Sequence, residues 1–257
     1  VNIKLSKRLQ WIADWVPEGS KLADIGSDHA LLPSYLAKEG KISYGVAGEV
    51  NQGPYEAARR QVLGSRLEHI VQVRLGDGLA VLEPNEVDCI SIAGMGGSLI
   101  VSILSAQPDK LEGVKRLILQ PNVGEDTVRR WLRKEGWNLL KEHILEEDGK
   151  IYEVLLAERQ PDAEAVEAYN ARLYEARTLS CGLPLTEEWL LQFGPLLSQA
   201  PTEVFFEKWK REVGKRERVL RTMEQAESEE AMQRREVFMQ NKAELEAIIE
   251  CLRKVQR

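Results

Sequence analysis

Hydrophobic and polar positions along the chain fall into two regimes that change over near residue 160. Before it, short apolar runs alternate with longer stretches of helical period. The runs are Lys21–Asp24, Ile42–Glu49, Ile70–Leu75, Val87–Ala93, Arg116–Gln120, Leu139–Leu145 and Ile151–Ala157. The first five are rich in Val, Ile and Leu, and the stretches between them are long enough for crossover helices. That pattern predicts a parallel sheet covered by helices on both faces. The last two runs are separated only by the acidic turn Glu146–Lys150, which predicts an antiparallel hairpin closing a seven-stranded sheet. Helices are predicted over Leu5–Val16, with Leu9, Ile12, Ala13 and Val16 on one face and Pro17 beyond it, and over Gln52–Leu63, with Ala57, Ala58 and Val62. A third covers Glu125–Glu135, where Val128, Trp131 and Leu132 recur at helical spacing and Gly136 is the stop signal.

After residue 160 the strand pattern vanishes. Ala163–Leu179 reads as a helix through Val166, Tyr169, Leu173 and Ala176, and a turn-rich patch, Cys181–Pro184, follows. From Thr202 onward the chain is almost entirely helix formers. Phe205, Trp209, Val213, Leu220 and Met223 make one apolar stripe; Phe238, Leu245, Ile248, Leu252 and Val255 make another. The break between them, Ala226–Ala231, favours an antiparallel helical hairpin, with one long helix as the competing reading because no Gly or Pro marks the turn. Both stripes read as core packing. The chain therefore divides into an α/β domain at 1–160 and an all-helical, coiled-coil-like domain at 161–257.

Composition narrows the class. Of 257 residues, 30% are charged and 43% hydrophobic, which suits a packed core and argues against wholesale disorder. No apolar run approaches the ~20 residues a membrane span needs, and the first ten residues are too polar for a signal peptide. Cys89, Cys181 and Cys251 have no metal-binding spacing and suggest no disulfide framework, so a reducing cytoplasm and no metal are expected. The formal charge of −6 argues against indiscriminate nucleic-acid binding but leaves room for a local basic patch.

Ligands of open parallel sheets bind at the carboxyl ends of the strands. The residues found there are Asp24, Gly26, Ser27, Asp28 and His29 after the first run, and Glu49, Val50 and Asn51 after the second. Gly76, Asp77 and Gly78 follow the third. Ala93, Gly94, Met95, Gly96 and Gly97 follow the fourth, and Gln120, Pro121 and Asn122 the fifth. Glu49, about 20 residues beyond the first glycine loop, is placed for ribose hydroxyls. Asp77, between two glycines, offers an acceptor for an exocyclic amine and a close backbone approach to a flat ring. A diphosphate wants backbone donors at a helix N-terminus and no carboxylate beside it, so Asp28 argues against NAD or FAD. An adenosyl ligand without phosphate, carrying an amino-acid end and a sulfonium charge, fits better: S-adenosylmethionine. Other readings stay beside these: Asp24 as a helix cap, Glu49 as a solvated acid, Asp28–His29 as a structural pair, Gly94–Gly97 as a tight turn, and His69 and His143 as ordinary packing or surface residues.

The runs Asp24–Pro33, Gly48–Ala58, Gly76–Leu79, Ile92–Gly97 and Leu119–Asn122 together resemble the bacterial tRNA (adenine-22-N1)-methyltransferase family, in order and in approximate spacing, up to about residue 160. The helical tail matches that family in character. The resemblance implies a class I Rossmann-like methyltransferase domain and S-adenosylmethionine as cofactor. It implies the D-arm adenine of tRNA, at position 22, as acceptor. Cofactor contacts are then expected at Gly26, Ser27, Asp28, Glu49, Asn51, Asp77, Gly78, Ala93 and Gly94, and their strand-end neighbours Asp24, Val50 and Met95 are added from position alone. Gly96, Gly97 and the Gln120–Pro121–Asn122 turn are expected beside the target base, with Asp28, His29 and Asn122 as catalytic candidates. The turn is reminiscent of, without being identical to, the N/D-P-P-Y/F turn of amino-directed adenine methyltransferases.

Binding tRNA requires cationic surface, and Lys208–Arg221 holds seven basic residues against two acids. On a helix Lys208, Arg211, Lys215 and Arg218 form one stripe, for which phosphate contact and a solvated face with intrahelical pairs are the two readings. A monomer is expected. The alternatives are a methyltransferase for rRNA, protein or a small molecule, and a non-catalytic module presenting its helical hairpin to a protein partner; cofactor affinity separates the last from the enzymes.

Overall fold

A computed structural model describes residues 3–223 and 228–255. The chain divides into two units, Val1–Leu173 and Tyr174–Arg257. The division falls later than the change of character at residue 160 because the helix that follows residue 160 docks on the sheet: Tyr169 Oη donates to the Leu139 carbonyl at 2.8 Å, and Asn170 Nδ2 to that of Trp137 at 3.3 Å.

The first unit runs α1 (Lys7–Trp15), β1 (Ser20–Ile25), α2 (Leu31–Lys38), β2 (Ile42–Glu49), α3 (Gln52–Gly64), β3 (Val71–Leu75), β4 (Cys89–Gly96), α4 (Gly97–Ala106), β5 (Arg116–Val123), α5 (Glu125–Lys134), β6 (Trp137–Glu147), β7 (Lys150–Arg159) and α6 (Ala163–Leu173). Its seven strands lie in the order β3-β2-β1-β4-β5-β7-β6. The β1 to β5 pairs are parallel, and β7 is antiparallel to both β5 and β6. The expected α/β, class I Rossmann-like seven-stranded sheet is the one observed. Strand order reverses between β1 and β4, which opens a crevice at their carboxyl ends.

Ile12, Leu22 and Val46 are buried where the periodicity put them, essentially inaccessible to solvent, and Leu32 and Leu36 of α2, a helix the periodicity did not mark, are buried beside them. Each such side chain stabilises by about 1.5–3 kcal/mol relative to exposure. One ion cluster is buried with them. Arg129 of α5 donates from Nε to Glu142 at 2.6 Å and from Nη2 to Glu153, tying α5 to both arms of the β6–β7 hairpin. All three side chains are fully buried, so loss of one partner would strand a charge in the interior.

The second unit comprises β8 (Arg177–Thr178), β9 (Pro184–Leu185), α7 (Glu187–Phe193), α8 (Glu203–Met223) and α9 (Glu229–Val255). Strands therefore do not vanish after residue 160. The helix expected to reach Leu179 stops at Leu173, because Arg177 and Thr178 pair antiparallel with Leu185 and Pro184 around a turn containing Gly182 at φ +85°. The expected helical hairpin is present. Arg253 reaches Glu203 at 3.5 Å and Lys242 reaches Glu217 at 3.3 Å, pairings that require α8 and α9 to run antiparallel. Ser228 caps α9; Ala226 and Glu227, which belong to the expected break, lie outside the described residues. Trp189, Phe193, Phe205, Phe206 and Trp209 form an aromatic core with Leu245, Ile248 and Leu252.

The cysteine reading needs correction. Cys181 and Cys251 form a disulfide, with Cα atoms 6.0 Å apart and 70 residues between them in sequence. The β8–β9 turn and the last turns of α9 meet only in the folded unit, so spacing alone carried no sign of it. Cys89 is free and buried, and burial pushes its thiol pKa up.

Candidate active site

The site is assembled at the carboxyl ends of β1 to β5. Asp24, near the end of β1, is 4% exposed and accepts from two hydroxyls, Ser27 Oγ to Oδ2 and Ser91 Oγ to Oδ1, both at 2.6 Å. Burial raises its pKa; the two hydroxyls and the Arg8 charge oppose that shift. Asp24 therefore holds the loop that follows rather than projecting into the crevice. Gly26 takes φ +68°, a left-handed conformation that glycine adopts without steric cost, and a β-carbon there would have to displace the flexible Met95 methyl. Its N–H and that of Ser27 donate to the Gly48 carbonyl at 2.9 and 3.2 Å, binding the loop to β2.

Asp28, His29 and Ala30 all take left-handed backbone conformations, φ 44°, 68° and 54°. Such conformations are costly for residues with a β-carbon. The turn aims the backbone N–H groups of Asp28 and His29 at the Glu49 carboxylate. Glu49 is 6% exposed, and its Oε1 is buried without a hydrogen-bond partner. Burial first, then the charges of Asp24 and Asp28, raise its pKa. A buried carboxylate oxygen lacking a donor at a strand end is what a ribose hydroxyl would satisfy, so the residues present fit an adenosyl cofactor.

Asn51 stands at the N-cap of α3 without capping it, and Asp77 is exposed between Gly76 and Gly78. Four apolar side chains at or just beyond the carboxyl ends of β2, β3, β4 and β5 are exposed: Val50, Leu75, Leu99 and Val123. The β4–β5 pairing is irregular at Ala93/Met95, where the chain lifts away to form Gly94–Gly97. Gly97 opens α4 against the Gly124 carbonyl, an approach any β-carbon would block.

The Gln120–Pro121–Asn122 turn is locked by a chain of hydrogen bonds. Gln120, fully buried, accepts at Oε1 from Arg8 Nη1 and from the Gly94 N–H at 3.1 Å. Its Nε2 donates to the Pro121 carbonyl at 2.8 Å and to Asn122 Oδ1 at 3.2 Å. Asn122 Nδ2 donates to the Gly94 carbonyl at 2.8 Å, and Asn122 itself is exposed. Arg8 comes from α1, whose first turn is anchored by the Glu147 carboxylate accepting from the Lys7 and Arg8 N–H groups. Its guanidinium also faces the Tyr152 ring at 5.2 Å.

Asp28, Glu49, Met95 and the Gln120–Asn122 turn thus share one edge of the sheet. His29 does not join the acceptor turn. It is exposed, 3.5 Å from Asp28, and lines a depression of about 370 Å³ with Ala57, Arg60 and Gln61 of α3, on the β2 side of the sheet. A larger cavity, about 460 Å³, lies beside Arg133, Arg159 and Asn170 and contains none of the expected residues. Among the described residues no group of His, Cys, Asp and Glu side chains is disposed to hold a metal ion. Sequence reasoning missed Ser91 and Arg8. Ser91 shows only as a polar residue inside an apolar strand, and Arg8 gives no signal.

The basic stripe belongs to the second unit. Arg211 pairs with Glu207 at 2.9 Å, Lys215 pairs with Glu212, and the Lys208 ammonium lies 5.4 Å from the Trp209 ring centre. Arg218 is exposed. The solvated-face reading is therefore realised in part, although such same-helix pairs are weak and readily exchanged.

Residues 22–247 match the family model described as tRNA (adenine(22)-N(1))-methyltransferase. The chain is 45% identical over 225 residues to the tRNA (adenine(22)-N(1))-methyltransferase of Bacillus subtilis (strain 168), covering 88% of each. The crystal structure of the B. subtilis M1A22 tRNA methyltransferase superposes with a TM-score of 0.83 at 42% identity, covering 96% of this chain and all of that one. A Streptococcus pneumoniae protein solved in complex with S-adenosyl-L-methionine superposes at 0.77 with 37% identity, covering 96% of this chain and 100% of its own.

Proposed function

The chain belongs to the tRNA (adenine(22)-N(1))-methyltransferase family, and from that premise we propose how its residues divide the work. It is a methyltransferase that uses S-adenosylmethionine to methylate N1 of adenine 22 in tRNA. The bound cofactor supplies a methyl group on a sulfonium, an intrinsically good leaving group.

We assign the ribose to Glu49, the adenine amine to Asp77 with Gly78, and the amino-acid end to the Gly26–Ser27–Asp28 loop. Val50, Asn51, Ala93, Gly94 and Met95 complete the pocket, and Asp24 acts behind it by holding Ser27. The observation that carries this assignment is the unpartnered Glu49 Oε1 at the end of β2. Gly96, Gly97 and Gln120–Asn122 line the acceptor side. Adenine N1 has an in-plane lone pair and is unprotonated at neutral pH, so attack needs no strong base. The residues' work is positioning and charge placement. The N1 edge is hidden in a paired or stacked D-arm, so the base must be extruded into the crevice. Methylation moves positive charge onto the base, and the Asp28 carboxylate is assigned to stabilise it. His29, on the α3 side, is the weaker catalytic candidate.

The helical second unit, with Lys208, Arg211, Lys215 and Arg218, is assigned to tRNA phosphates, working in the cytoplasm as a monomer. The test is methyl transfer from labelled S-adenosylmethionine to unmodified tRNA, with the nucleoside identified and mapped. N1-methyladenosine at position 22 is the expected product; label in another nucleoside would overturn the acceptor reading. Steep loss of tRNA affinity with salt is expected, and its survival after Lys215→Glu and Arg218→Glu would remove the stripe from the interface.

A further inference from the structure

We propose that Arg8 is the positioning residue of the acceptor side: through Gln120 it fixes which end of the Asn122 amide meets the target adenine. The inference rests on the reading that Asn122 faces that base.

Gln120 Oε1 faces two donors, the Arg8 guanidinium and the Gly94 N–H. A guanidinium offers only donors and accepts no hydrogen bond. A flipped Gln120 amide would set its own N–H groups against both donors inside a fully buried site. Arg8 therefore holds the oxygen inward and turns Nε2 toward Asn122 Oδ1 at 3.2 Å. Asn122 in turn sends its Nδ2 to the Gly94 carbonyl at 2.8 Å. The Watson–Crick edge of adenine offers a donor at N6 and an acceptor lone pair at N1. With Asn122 held this way, the second lone pair of Oδ1 can accept from N6 while N1 stays bare. With Asn122 reversed, an N–H would cap the N1 lone pair, the nucleophile itself.

The same chain bears on regiochemistry. Gln120's oxygen is occupied by Arg8 and Gly94, and its Nε2 engages the Pro121 carbonyl at 2.8 Å. The turn thus keeps few acceptors free to draw protons from the exocyclic amine, whose lone pair is delocalised into the ring. N1 needs no such help.

The experiment measures kcat, KM for tRNA, cofactor affinity and melting temperature for the wild type, Arg8→Met, Arg8→Lys, Gln120→Glu, Gln120→Leu and the double variant Arg8→Met/Gln120→Leu. Arg8→Met is expected to lower kcat by about 10²-fold, the scale of a small misplacement of reacting groups, with KM for tRNA within a few-fold. Arg8→Lys, which keeps the charge and one donor, recovers part of the loss. Gln120→Glu keeps the Arg8 contact but removes the donor to Asn122, so it loses kcat while remaining folded. The double variant is expected to be no slower than the slower single one. A loss confined to KM for tRNA would make Arg8 a phosphate contact and overturn the proposal, as would multiplicative losses in the double variant or full turnover by Gln120→Glu. If Arg8→Met fails to fold, Gln120→Glu decides. A wild-type product other than N1-methyladenosine would instead defeat the parent reading, so the two failures are distinguishable.

Discussion

Ser91 and Asp24 face each other across the β1–β4 ladder, and the Ser91 hydroxyl donates to Asp24 Oδ1 at 2.6 Å. The pair sits where strand order reverses, so the acid that organises the first loop is buried between two strands. Its pKa is raised, chiefly by burial. An acid raised in the folded state contributes stability that is present below its unfolded pKa and lost as pH rises through the folded value. The cost of burying that charge therefore opposes folding at any pH above the unfolded value. Asp24→Asn is expected to raise the melting temperature at pH 7 and to weaken S-adenosylmethionine binding, because Ser27 loses its charged acceptor. Calorimetry and melts on the same samples check both; a less stable Asp24→Asn protein would refute the account.

Glu49 gives a cleaner reading of ligand geometry. Its Oε1 is buried and unsatisfied. Glu49→Gln replaces one ribose acceptor by a donor and is expected to cost about 1.5–3 kcal/mol of cofactor affinity, the scale of a hydrogen bond to a charged group. That is roughly a tenfold to hundredfold rise in Kd, measurable by titration calorimetry. Unchanged affinity would remove Glu49 from the ribose site.

Away from the crevice, Glu86 is held down to about 2, first by its hydrogen bond from Arg74. The Arg74 Nη2–Glu86 Oε1 distance is 2.6 Å. A depressed carboxyl contributes stability that is present above its unfolded pKa, near 4.5, and lost as pH falls toward 2. Melts of wild type and Glu86→Gln should therefore differ above pH 5 and converge on acidification. A gap that stays constant with pH would exclude the ion pair as its source.

The Cys181–Cys251 bridge closes a segment of 70 residues, for which chain entropy gives about 4 kcal/mol of stabilisation. Reduction, or Cys181→Ser, is expected to lower the melting temperature of the helical unit while leaving S-adenosylmethionine binding by the first unit intact. Such bridges are uncommon in a reducing cytoplasm, so thiol titration of protein purified under reducing and non-reducing conditions is the direct check. Insensitivity of the helical unit to reduction would show that its aromatic core suffices.

Much of the fold was legible because each of the first five strands is a self-contained apolar run, as Ile42–Glu49 illustrates. A parallel sheet then sends all five carboxyl ends to one edge, so Glu49, Asp77 and Asn122 could be grouped from order alone. What escaped depends on partners distant in sequence. Leu173 ends its helix although Ala176 continues the period, because Arg177 finds Leu185 across a hairpin. Arg8 meets Gln120, and Ser91 meets Asp24, only once the sheet exists. The disulfide is of the same kind: neither cysteine has a local environment that announces the other.

The left-handed run at Asp28, His29 and Ala30 has a consequence for how this loop can vary over generations. Few side chains tolerate that backbone; glycine, asparagine and aspartate do so most readily. Selection for folding alone would thus restrict the loop to a small alphabet that includes the very carboxylate assigned to the chemistry. Shape and activity draw on the same few letters there, so recurrence of an aspartate at this position across descendants would not by itself distinguish a catalyst from a hinge of the fold.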